Sequence, residues 1–409
     1  MDLLETNAQV PRSSGDQNLR ESAESAVRSF SIVEGGPVYR LLLRLQLVRQ
    51  TKLSVWHRFL ALLASIWLPL LLLSLKDGLA FGHQVKIPFL YDLYMYGAFL
   101  FGLPVLLFAQ LYIDPSIRQS VSEFVHAQFI PDQELPRFES ILKRVQQIRD
   151  SWITEVILLV LASFPLFLFE HEWIPGMVTN WHTTAKGISA AGWWYAVVST
   201  PIIRYIVYRW VFRFILWAIL LWQITRLQLT LMPTHPDHDA GLEFLGGTQK
   251  HFGLLFCALG CSVAGRIVNT MLFEGTPLSH FEAVMVGFLV VSVVVGSLPL
   301  ALLTPKMMAV RRTGLLEYGK LAKAYSESFD RKWVHCNVRP SEPLLGAADI
   351  QSLADMGHSY LLIEKMRRVP ISRTLVQQLA GRAVLPLVPI IIFGTPIPAL
   401  AHELIKLIL

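Results

Sequence analysis

The stretch LMPTHPDHDAGLEFLGG (231–247) places His235, Asp237, His238, Asp239 and Glu243 directly behind a long apolar, tryptophan-rich segment. Two chemistries compete for it. In the first, Thr234 caps a helix. Thr234-x-x-Asp237 is a capping box with Asp in place of Glu, and Pro236 falls in the first turn, where its missing N–H is harmless. Asp237 and Asp239 meet the positive end of the helix dipole, and Gly246-Gly247 ends the turn. In the second, the same helix aligns His235, Asp239 and Glu243 at i, i+4 and i+8, so that His235 and Asp239 share a metal ion. Glu243 lies about 12 Å along the axis from His235 and is out of reach. A third ligand must come from elsewhere, His238 and His251 being nearest in sequence. That shortfall favours a cap packed by Leu242, Phe244 and Leu245 over a metal-dependent membrane enzyme, and no cofactor is expected.

A second set of charges lies inside apolar sequence. Arg204, Arg209 and Arg213 fall near the start of one apolar segment and Arg266 inside the next. A charge at the bilayer centre costs roughly 2.5–3.5 kcal/mol or more, so such residues pair, snorkel or line a wet path. The expected topology puts Arg213 and Arg266 in the outer half of the membrane, level with Asp92 and Glu170. Together Arg266, Arg213, Arg209, Asp92 and Glu170 outline a polar site for a small anion, with Arg266 paired to Asp92 or Glu170. The alternative is plain snorkelling, which suits Arg209 and Arg213 best.

Other residue patterns read as structural. Gly253, Cys257, Cys261 and Gly265 recur every fourth residue, a small-residue stripe for close helix approach rather than a redox or soft-metal pair. The third cysteine, Cys336, has no partner for a disulfide. Pro386, Pro389, Pro396 and Pro398 bend the last apolar segment, as a hinge or a static kink. The chain has no phosphate-binding loop, dinucleotide fingerprint, H-E-x-x-H or G-x-S-x-G.

The elements that must position these residues are membrane helices. Of 409 residues, 53% are hydrophobic and 16% charged, against about 25% charged in soluble domains. Apolar segments near 58–75, 93–113, 152–170, 207–230, 252–272, 283–304 and 379–402 are each close to the roughly 20 residues that cross a hydrocarbon core. The expected fold is therefore an all-α bundle of about seven spans. Arg118, Arg137, Lys143, Arg144 and Arg149, and a larger basic set from Lys306 to Arg373, put the loops at 114–151 and 305–378 in the cytoplasm together with the N-terminus. Residues 190–203 are expected as a re-entrant or interfacial helix broken near Thr200-Pro201, because an extra crossing would reverse the last basic loop. The net charge of +6 suits anionic lipid. It does not suit nucleic acid, since the basic residues follow topology instead of forming one stripe.

Residues 1–34 are polar and expected to be disordered, and 35–57 to form a basic amphipathic surface helix. Leu321, Tyr325, Phe329 and Trp333 carry the sixth span into the cytoplasm as an amphipathic helix, RPSEPLLG (339–346) breaks it, and a second follows to Pro370. GGPVYR (35–40), THPDHDAGLEFL (234–245), PLLGAADIQSLADM (343–356) and MRRVP (366–370) resemble a bacterial family of multi-pass inner-membrane proteins marked by T-H-P-D-x-x-x-G-L-x-F-L. The resemblance implies location and class, and no activity. The expected function is passage or binding of a small anionic solute. The alternatives are an assembly or regulatory protein that binds a partner through its cytoplasmic helices, and the metal enzyme; the expected partners are the lipid bilayer, a small anion, and a protein partner or a homo-oligomer.

Overall fold

The computed structural model describes residues 14–44, 52–82, 84–164, 179–184, 187–335 and 348–390. Almost all of it is helical: α1 (Ser14–Ser29), α2 (Pro37–Arg44), α3 (Lys52–Lys76), α4 (Leu93–His126), α5 (Leu135–Arg149), α6 (Trp152–Ser163), α7 (Ala190–Ile224), α8 (Phe244–Glu274), α9 (Glu282–Ala301), α10 (Thr304–Phe329), α11 (Ala348–Lys365) and α12 (Arg373–Val384). A two-stranded hairpin pairs Thr183–Thr184 with Gly187–Ile188. Five stretches are long and apolar enough to cross a membrane: Val55–Lys76, Leu93–His126, Ala190–Ile224, Phe244–Glu274 and Leu278–Ala301. The expected third span shows the shorter apolar α6, and the expected seventh shows α12 and its continuation to Ile390; the remainder of each lies outside the described residues.

α8 is the axis of the bundle, with α4, α9 and α12 packed against it. The small-residue stripe explains how closely they come. A Cβ on Gly97 of α4 would sit 2.4 Å from the Cys261 carbonyl oxygen, and one on Gly265 would sit 2.6 Å from the Leu93 carbonyl. On another side of α8, Gly253 faces Leu379 and Arg382, and Gly260 faces Pro386. Dispersion between backbones at this range replaces the hydrophobic effect, which lipid does not supply. Outward, Val284, Val291, Val294 and Leu298 of α9, and Ile153, Ile157, Val160 and Leu161 of α6, are exposed as lipid-facing side chains should be.

The break expected at Thr200-Pro201 does not occur. α7 runs unbroken from Ala190 to Ile224 through a π-helical turn at Tyr195–Ser199. α4 does the same, with a π-helical turn at Tyr96–Gly102 ahead of Pro104. In both, the proline ring would collide with the carbonyl four residues back, Val197 or Leu100, and the wider turn makes room for it. One long apolar helix therefore replaces the expected pair of a re-entrant helix and a span at 207–230.

A second correction concerns the N-terminus. Residues 14–29, expected to be disordered, form α1, which lies on α4 and α5 with Ala23, Val27 and Phe30 buried. Those positions follow helical spacing, a signal that the polar composition hid. α1, α5 and the base of α10 gather with the basic loops at one end of the bundle, around Phe124, Phe138, Trp217 and Phe252. The far end is closed by Phe89, Trp181 and Ala191 against α3.

α10 and α11 leave the basic end as a helical arm. Its base is anchored by buried Met307, Gly314 and Ile363 and by Lys306 Nζ on the Leu227 carbonyl at 3.0 Å. Its distal end is tied by Asp349, which accepts from Lys332 at 2.6 Å and Trp333 Nε1 at 3.0 Å.

Gly97→Val is expected to lower the thermal midpoint of the purified protein in detergent, at a cost of about 1–3 kcal/mol. Gly287→Val, where an added Cβ meets nothing within 4 Å, is the control and should leave the midpoint unchanged. Equal losses would mean that the α4–α8 approach does not limit stability.

Candidate functional site

Arg209 and Arg213 of α7 face protein groups. Arg209 Nη1 lies 2.7 and 2.8 Å from the two Glu155 carboxylate oxygens, and Nη2 donates to the Gly35 carbonyl at 2.8 Å. Tyr205 donates to the same carboxylate. Arg213 donates to the Val33 carbonyl at 3.1 Å and lies 4.6 Å over the Trp210 ring. The chain segment Ser31–Gly36 is thus held against α7 by its own carbonyls. Its other side is held by carboxylates. Asp114 accepts from Ser31 Oγ at 2.5 Å and from Arg118 at 2.8 Å, and Arg118 reaches on to Glu34 at 2.5 Å. Asp150 accepts the Gly36 N–H at 2.8 Å and pairs with Arg149. Burial alone would raise the Asp150 carboxyl, but the Arg149 guanidinium wins and holds it below its ordinary value.

The two glycines of GGPVYR are required by this clasp. Gly35 and Gly36 have φ of +148° and +92°, and a Cβ on Gly35 would sit 2.2 Å from Arg149 Nε. Arg118, Arg149 and Arg209 pair with Glu34, Asp114, Asp150 and Glu155, and Arg213 takes the Val33 carbonyl, across five elements, so that opposite charges lie together, half-buried around the buried Asp114 and Glu155.

Asp92 and Arg266 are at the far end. Tyr94, beside Arg266, and Asp114, in the clasp, lie on one helix about 30 Å apart, so Arg209 and Arg213 do not share a site with Arg266 and Asp92. The cause is the start of α7 at Ala190, which carries both arginines along the helix toward the basic end of the bundle. Arg266 does not pair with Asp92 either. Its side chain is exposed, 5.9 Å over the Tyr94 ring. Asp92 caps the start of α4 by accepting from Tyr94 N and Met95 N, and takes further bonds from Asn269 Nδ2 at 2.6 Å and Trp181 Nε1 at 2.8 Å. Asn269 stands four residues beyond Gly265 on the same stripe, the one signal that could have found it. Beside this cluster, burial and the nearby Arg266 charge push His182 down to about 4. Glu170 lies outside the described residues.

The 231–247 loop is a correction to the expected helix. Residues 233–243 are turns, α8 begins at Phe244, and Gly246 and Gly247 lie in its first turns instead of ending a helix. Asp237, not Thr234, organises the loop: its carboxylate accepts the N–H groups of Asp239 (2.8 Å), Gly241 (3.1 Å) and Glu243 (3.2 Å). Burial raises the Asp237 carboxyl, but these bonds, with His235 2.8 Å away, hold it below its ordinary value. The bond network also sustains positive φ at His238 (59°), Ala240 (56°) and Gly241 (92°). Asp239 turns the other way, onto Arg367, while the Arg367 N–H donates to the His238 carbonyl at 2.8 Å. Burial pushes Asp239 up to about 6, against the pull of Arg367.

His235 and Asp239 therefore serve different partners. Among the described residues no three His, Cys, Asp or Glu side chains gather closely enough to hold a metal ion. The loop is a latch: it fastens the segment behind α11 to the bundle, and so fixes the base of the arm.

Among the described residues, a small concavity of about 20 Å³ lies between α4, α7 and α8 and is apolar except for Ser262. An open groove of about 600 Å³ lies at the base of the arm between α10 and Arg368. Comparison of the chain with protein-family models, with curated proteins and with solved structures found no match to any of them.

Glu155→Ala and Arg209→Ala should each destabilise the protein by about 3–5 kcal/mol, because each leaves a buried charge uncompensated. The double substitution should cost less than the sum, by up to roughly 3 kcal/mol in unfolding measurements. Additive losses would dissolve the pairing.

Proposed function

We propose that the protein is a seven-span protein of a bacterial inner membrane, with its N-terminus in the cytoplasm, that presents the α10–α11 arm to a protein partner. The observation that carries this reading is how little the arm buries. α10 and α11 have 26 and 18 residues, yet their buried residues are only Met307, Gly314 and Ile363. Leu321, Val334, Ile350 and Leu361 stay exposed on it. A helical hairpin with that balance gains its stability from something laid against it.

The basic residues of the arm and of α5 support a cytoplasmic placement. The four quoted motifs support a bacterial inner membrane. The run of α12 beside α8 as far as Ile390 supports a seventh span. The partner is a cytoplasmic protein or a second copy of this chain.

A photo-crosslinking residue at Leu321 or Leu361 should yield one adduct of defined mass in cells, and the mass separates a second copy from another protein. The same residue at lipid-facing Val290 should yield none. With the photo-crosslinking residue at Leu361, Leu321→Ser should weaken the adduct without lowering membrane yield, since a leucine contributes roughly 1.5–3 kcal/mol on burial. Absence of an adduct at both arm positions would reject the reading.

One observation favours a second reading, passage or binding of a small anion. Arg266 is exposed eight residues before the end of α8, with no carboxylate paired to it among the described residues. Proteoliposomes should then release chloride or phosphate in a manner lost with Arg266→Gln. Equal release by Arg266→Gln vesicles would sink it.

A further inference from the structure

The latch holds a carboxylate that is only half satisfied. Asp239 is buried. Its Oδ2 accepts from Arg367, but its Oδ1 is buried with no donor among the described residues, and the adjacent His238 Nδ1 also lacks a partner. Asp237, in the same loop, is the contrast: three backbone N–H groups reach its carboxylate and stabilise its charge. Asp239 has to hold its charge out of water with one side-chain donor, and an unsatisfied buried oxygen is costly.

Its charged neighbours add to that cost. Arg367, from the segment behind α11, favours the ionised form, while Asp237 and Glu243 of the loop itself oppose it. His235 lies 2.8 Å from Asp237 and steadies that carboxylate instead. Elsewhere the loop meets neutral groups: Gly241 lies against Phe129, and Pro233 lies against Gly314 of α10, where a Cβ would sit 2.9 Å away. Opening the latch returns Asp239 to water, where an aspartate titrates at about 3.9. In the closed latch burial outweighs Arg367 and the carboxyl takes up its proton at about 6. A carboxyl raised in this way favours the closed state at pH below its closed value, and that advantage is lost as pH rises through it. The proton leaves Arg367 at no great cost, because its side chain is 35% exposed and stays hydrated.

We propose that the latch is a proton-tightened joint: a proton on Asp239 closes the 231–243 loop on the Arg367 segment, and ionisation of Asp239 loosens the base of the arm. An ordinary Asp–Arg pair tightens on ionisation. The order is reversed here because Oδ1 has no donor and two further carboxylates act on it. The inference is independent of what docks on the arm.

The test is hydrogen exchange of the full chain in neutral detergent, read by mass spectrometry from pH 5 to pH 8, with each rate corrected for intrinsic exchange at that pH. The reporter is the peptide over residues 366–371, whose Arg367 N–H donates to the His238 carbonyl across the joint. Its protection should be about tenfold higher at pH 5 than at pH 8. Asp239→Asn should make that protection independent of pH. Glu243→Gln, at an exposed position, leaves the ion pair in place and should move the dependence to lower pH; it decides the matter if the asparagine variant does not fold. A flat profile in the natural chain, or protection that falls on acidification, overturns the proposal. So does an unmoved profile in Glu243→Gln, or a pH dependence that survives in Asp239→Asn, which would assign the proton to His235 or His238.

Discussion

The structure depends on neutralising two arginines that a membrane helix cannot leave bare. Arg209 and Arg213 lie on the longest apolar helix, and everything near them is arranged around their charge. Glu155 supplies the carboxylate, and the Val33 and Gly35 carbonyls supply the remaining acceptors. Because carbonyls are used, backbone from a distant part of the chain has to be brought to them. That requirement accounts for the left-handed glycines at 35 and 36 and for the carboxylates of Asp114 and Asp150 that grip the other side of the segment. A buried ion pair of this kind adds little net stability over apolar packing, but breaking it is costly. Its effect is to specify one arrangement of α4, α6, α7 and the N-terminal segment.

The same logic recurs at the latch. Asp237 satisfies three backbone donors in a loop with three positive φ values, and Asp239 and Arg367 fasten that loop to the segment behind α11. Polar groups in this protein join elements that apolar packing would leave free to slide. The apolar contacts, by contrast, are close-packed through glycine and join α8 to its neighbours along their length.

The class of the fold was legible in composition, and the crossings at 55–76, 93–126, 244–274 and 278–301 were legible as apolar runs. The small-residue stripe was legible too, because four-residue spacing of glycine and cysteine has few other uses in a membrane helix. What failed was local reasoning about proline and charge. Pro201 reads as a break only if the helix must stay strictly α. Arg213 and Arg266 read as one site only if depth is counted from the wrong start of α7. Asp92 in fact meets Trp181 and Asn269, neutral residues that no charge-pairing argument would select. At 234–243 the residue types suggested a cap, and a cap exists, but it is an acidic side chain serving a loop. Thr234 as N-cap and Asp237 as loop centre differ only in backbone dihedrals that hexapeptide patterns do not encode.

The π-helical turns of α4 and α7 have a consequence for how the molecule can vary. A π turn is one residue inserted into an α-helix, and one residue is about 100° of helical phase. In α4 and α7 the residues before the turn pack at the far end, around Trp181 and Ala191, and those after it pack toward the clasp. Each insertion therefore uncouples the azimuth of one end from that of the other. Side chains at either membrane surface can be exchanged to suit a new neighbour without rotating the face that serves the opposite surface.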